Sequence, residues 1–130
     1  MSEHQFALKS NKTLEQLQQD FEAALNDIKF GLIHKHDITQ TIRSKGFEMD
    51  EQIYVYEVCN PGFATKVLAV DMSLNMVLPC RVSIYSDKGN NIIGMVKPSV
   101  ALTSLSGSEE TKTISTEVEE LLKKAIEQAH

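Results

Sequence analysis

The chain has 130 residues with 42% apolar, 24% charged and 6% aromatic positions, and a formal net charge of −5 from 13 Lys and Arg against 18 Asp and Glu. That is the size of one domain with its own core, too short for two typical ones. The acidic balance, with Lys123-Lys124 the only adjacent basic pair, argues against nucleic acid as a partner. The opening MSEHQFALKS lacks an apolar signal segment and no apolar run approaches ~20 residues, so the expectation is a cytoplasmic protein with no membrane partner. Its two cysteines are then expected as free thiols.

Phe6 and Leu8 mark a short first strand. Thr13 with Gln16 has the capping-box pattern, and Leu14, Leu17, Phe21, Ala24, Leu25 and Ile28 form one helical stripe, which predicts a helix ending near Lys29. Residues 32–36 read as a second strand. Asp37 is an N-cap for a short helix carrying Ile38 and Ile42 that Gly46 ends. The β-branched and aromatic run 53–59 is a third strand. Asn60 and Pro61 then open a helix as N-cap and first residue, with Phe63, Val67 and Val70 as its buried face. Residues 78–85 form a fourth strand. The turn Asp87-Lys88-Gly89-Asn90 joins residues 82–86 to 91–96 as a hairpin. A short helical piece follows, and residues 106–112 read as a loop. Thr116 with Glu119 opens a last helix over about residues 114–129, with Ile114, Val118, Leu121, Leu122, Ala125, Ile126 and Ala129 in its stripe. Five strands and two long amphipathic helices predict one α+β domain over 1–130, a two-layer sandwich with helices packed on one sheet.

Few motifs carry chemistry. Gly89 and Gly94 have phosphate-loop spacing, but Met95 and Val96 stand where Lys and Ser or Thr are needed. GxGxxG, HExxH and GxSxG are absent. Cys59 ends a strand one residue before an N-cap, where the positive end of a helix would lower its thiol pKa and suit a nucleophile or ligand. The plainer reading makes Cys59 and Cys80 small buried hydrophobes, and Cys80 is in phase with Leu78, Val82 and Ile84. Glu57, if it faces inward, is a proton carrier with a raised pKa; facing outward, it is a solvated carboxylate. His34 and His36 have the H-x-H spacing of a metal pair, which with a thiolate would suit zinc or copper. Two histidines supply only half a tetrahedral site, so exposed imidazoles at a strand end are the simpler account.

Val58-Cys59-Asn60-Pro61 with Ala64, then Leu78-Pro79-Cys80-Arg81-Val82, with Asp37-Ile38 to Gly46 upstream, resembles the domain-of-unknown-function family 302 over roughly residues 31–100. Helix one fits the family layout, and the last helix resembles a C-terminal addition. The resemblance implies a two-layer sandwich with a curved, largely antiparallel sheet, in bacterial or archaeal cytosolic proteins. It implies no established activity, and it marks Cys59, Asn60, Pro61, Pro79 and Cys80 without giving them roles. Two functions follow as expectations. The first is a non-enzymatic module that binds a small ligand near Cys59, Asn60, Cys80 and Glu57, or a metal at His34 and His36, with a second copy of the chain as a further partner. The second is a thiol-dependent enzyme or sulfur carrier using Cys59. No base is recognisable near Cys59, which favours the binding module.

Overall fold

The computed structural model describes residues 3–130. In chain order the elements are β1 (Gln5–Ser10), α1 (Leu14–Asp27), β2 (Gly31–Asp37), α2 (Ile38–Ser44), β3 (Ile53–Cys59) and α3 (Pro61–Val70). A 3₁₀ helix (Met72–Val77) comes next, followed by β4 (Cys80–Asp87), β5 (Asn90–Val96), α4 (Pro98–Thr103) and α5 (Glu109–Ala129). The five strands form one sheet in the order β1-β5-β4-β3-β2, and every pairing is antiparallel. The β4–β5 hairpin turns at Lys88 and Gly89, both with positive φ, so the two-residue turn matches the twist of its strands.

Strand alternation divides the sheet into two faces. Tyr56 and Val58 of β3, Val82 and Ile84 of β4, and Ile93 and Met95 of β5 are buried in the main core. α1 supplies Leu17, Phe21, Ala24 and Leu25 to that core, and α5 supplies Val118, Leu122, Ala125 and Ile126. This is the expected α+β two-layer arrangement, and most of both helical stripes is buried, with Leu14, Ile114 and Leu121 half-buried at their borders. Tyr56 lies edge-on to Phe21, and its hydroxyl donates to Glu22 at 2.8 Å. The other face carries Glu57, Arg81 and Ser83, and at its β5 position Gly94 lies against Ala7 of β1.

A second, smaller core forms where α3, the 3₁₀ helix, α4 and the first half of α5 meet: Val67, Leu74 and Leu102, with Val77, Leu78 and Ile114 against them. Here the structure departs from the sequence reading. α5 starts at Glu109, with the Ser108 hydroxyl capping Thr111, so residues 109–112 are helix rather than loop. The extra length buries Thr111, which continues a polar stripe through Ser115 and Glu119 that hydrophobic periodicity does not detect. β4 begins at Cys80 rather than Leu78, because Leu78 caps the 3₁₀ helix and Pro79 has no N–H for a ladder. On α3 only Val67 is fully buried; Phe63 is half-buried and stacks on Phe30, and Val70 is also half-buried.

Candidate functional site

β2 and β3 pair with a register shift between Leu32 and His34, which sets His34 opposite Glu57 and His36 opposite Val55. The two imidazoles lie with ring centroids 4.2 Å apart. His36 Nε2 meets Glu57 Oε1 at 2.5 Å. Glu57 therefore faces away from the main core, and its carboxyl is held below the ordinary carboxylate range. The hydrogen bond from His36 is the main cause, opposed by partial burial and helped by the charges of His36, Arg81 and His34. The inward, raised-pKa alternative for Glu57 is thereby corrected.

Arg81 of β4 stands directly across the ladder from Glu57. Its side chain is exposed, and among the described residues its guanidinium makes no hydrogen bond or salt bridge. Beside this pair opens a cleft of about 530 Å³. Glu57, Arg81 and Ser83, neighbours on β3 and β4, are its polar lining, and the segment 76–79 with Val96, Pro98, Ala101 and Leu102 supplies apolar walls. Met76 and Val96 stand at its edge with 69% and 58% of their surface exposed. Cys80 also reaches into it.

Cys59 and Cys80 are both free thiols and line a separate apolar void of about 20 Å³, bounded by Phe30, Phe63 and Leu78. Burial pushes the Cys59 thiol up. It pushes Cys80 up to about 11, with the nearby Cys59 as a second cause. The expectation that the start of α3 would lower the Cys59 pKa is thus corrected: the thiol is shifted upward, by desolvation. The N–H groups of Gly62 and Phe63 there already point at Asn60 Oδ1, at 2.9 and 3.2 Å. Asn60 Nδ2 in turn donates to Lys29 O. Asn60 is thereby engaged in capping α3 and holding it to the α1–β2 turn.

Of the residues singled out from sequence, Glu57 and Cys80 line the cleft, Cys59 and Asn60 line the small void with Cys80, and His36 reaches Glu57. Among the described residues no three His, Cys, Asp or Glu side chains are grouped to hold a metal, so His34 and His36 have no thiolate to complete a zinc or copper set. Arg81 is the residue that sequence reasoning passed over. It is out of phase with the apolar set Cys80, Val82 and Ile84, which signals the other face, but only the β3–β4 register shows that it meets Glu57.

A crystal structure of an uncharacterized conserved DUF302 protein from Bacillus stearothermophilus superposes with a TM-score of 0.93 over 99% of this chain and 100% of that one, at 23% identity, which shows a shared fold. No curated protein matches the sequence. None of the described helices is long and apolar enough to cross a membrane. The family model for DUF302, a domain of unknown function, matches residues 6–129, taking in the first and last helices as well as residues 31–100. The chain belongs to the DUF302 family.

Proposed function

We propose that the protein is a non-enzymatic binding module that takes a small amphipathic molecule in the cleft between the 3₁₀ helix and α4. The observation that carries this reading is the composition of the cleft: about 530 Å³ of space with apolar walls and a single polar end at Glu57, Arg81 and Ser83. Small-molecule sites are concave, mostly apolar, a few hundred Å³ in volume and oriented by a few polar groups. This moves the expected ligand position from Cys59 and Asn60 to the cleft, keeping Glu57 and Cys80. The thiol-enzyme alternative finds less support. Cys59 is shifted toward the neutral thiol, and among the described residues neither a histidine nor a carboxylate is hydrogen-bonded to it.

The test is titration with N-phenyl-1-naphthylamine, a neutral dye that fluoresces in apolar sites. Wild-type protein should enhance its emission saturably. Ala101→Trp and Val96→Trp, each adding bulk to one wall, should abolish the enhancement while circular dichroism stays native. Absence of enhancement in the wild type, or undiminished enhancement in both variants, rejects the cleft as a binding site.

A further inference from the structure

We infer that the occupant of the cleft is an amphipathic monoanion, an apolar tail with an oxyanion head of which a carboxylate is the plainest case, and that Arg81 receives the head. This inference rests on the cleft reading above and adds the ligand's charge to it. Among the described residues, Glu57 and Arg81 are the two charged side chains that line the cleft. They are not equally available. Glu57 already has His36 on Oε1 at 2.5 Å, so an ammonium head would compete with an imidazole for that carboxylate. Arg81 lies opposite Glu57 in register, yet none of its side-chain donors is used among the described residues. A guanidinium offers five N–H donors in a fork that fits a carboxylate through two parallel hydrogen bonds.

Ser83 is two residues along β4 from Arg81, so both side chains stand on the same face at the polar end of the cleft. Its hydroxyl supplies a further donor toward a head group held there. His36 is hydrogen-bonded to the Glu57 carboxylate, and Arg81 stands across the ladder as the cation facing it. The rest of the lining is mostly apolar, with Met76, Leu78, Val96 and Leu102 among it, which suits an alkyl tail better than a polar body.

The experiment is displacement of bound N-phenyl-1-naphthylamine by decanoate, decanol and decylamine, each below its critical micelle concentration, from wild type and from Arg81→Gln. The expected result is that the variant needs about tenfold more decanoate for half-displacement, the loss of one charge-assisted contact. Decanol should displace equally from both proteins, and added salt should weaken decanoate alone. If the dye itself fails to bind, the cleft reading falls. If the dye binds and decanol displaces it, but Arg81→Gln leaves decanoate unchanged, the cleft stands and the anion inference is overturned. Tighter binding of decylamine, lost in Glu57→Gln, would overturn it equally by showing that the head is cationic.

Discussion

Ser99 of α4 donates both its backbone N–H, at 3.1 Å, and its hydroxyl, at 2.5 Å, to the same carboxylate oxygen of Glu119 on α5. α4 has only six residues, and its N-cap, Lys97, offers no side-chain acceptor, so a carboxylate from another helix satisfies its first turn. Glu119 is buried, with Lys123 3.6 Å away. Because α4 carries Ala101 and Leu102, this contact fixes one wall of the cleft. Glu119→Ala leaves two donors of Ser99 without their acceptor and should cost about 2 kcal/mol. Urea unfolding measures the loss. Hydrogen exchange locates it: the amides of α4 should lose protection while those of α1 keep theirs, and unchanged exchange in α4 would refute the capping role.

Gly94 sits where β5 passes between β4 and β1. A Cβ there would lie 2.7 Å from the Cβ of Ala7 and 3.0 Å from the carbonyl oxygen of Phe6. The first is the methyl of a residue on the paired strand and the second is backbone, so relief requires β1 to move away. Gly94→Ala should destabilise the protein by roughly 1–3 kcal/mol. Pairing it with Ala7→Gly should recover part of the loss. A double-mutant cycle in urea tests this, and strictly additive effects would place the strain elsewhere.

Asn60 connects a sequence motif to a structural consequence. Its Oδ1 takes the Gly62 and Phe63 N–H groups, Pro61 occupies the first helical position, and Nδ2 reaches Lys29 O. Asn60→Ala should cost about 1 kcal/mol, read as a lower urea midpoint with unchanged slope. Asn60→Asp keeps the acceptor and should fall between the two, whereas an alanine variant of wild-type stability would deny the cap any role.

Much of the fold is legible in sequence because local chemistry and burial agree. The stripes of α1 and α5, the Asn60-Pro61 start and the Lys88-Gly89 turn each state their structure within a few residues. The start of α5 does not, because its buried residue there, Thr111, is polar like Ser115 and Glu119 further along the same face, and only tertiary contact explains their burial. The cleft is hidden for a related reason. Glu57 and Arg81 are 24 residues apart and meet only through the β3–β4 register, while the walls come from a 3₁₀ helix and a six-residue helix too short to show a period. The histidine pair is visible as H-x-H, but its partner is Glu57 rather than a thiolate.

The thiols give a prediction in which the sign of the pH effect is fixed. Burial lifts Cys80 from 9.0 to about 11 and also raises Cys59. A folded-state pKa above the unfolded one means that stability is intact below pH ~9 and is lost as pH climbs toward 11, since the unfolded chain ionises first. Tyr56, pushed above its ordinary 10.0 mainly by burial, adds to the loss only from about pH 10 upward. Between pH 9 and 10 the decline therefore belongs to the two thiols and not to Tyr56. Cys80→Ala should lower stability at neutral pH by opening a small cavity, and should flatten the decline across that interval, leaving the slope due to Cys59. Maleimide labelling of the native wild type at pH 7.5, followed by peptide mapping, should modify Cys59 before Cys80, because Cys80 lies on the core face of β4 and has the larger shift. Faster modification of Cys80, with an alkaline decline unchanged in Cys80→Ala, would show that this thiol is not desolvated in the native fold.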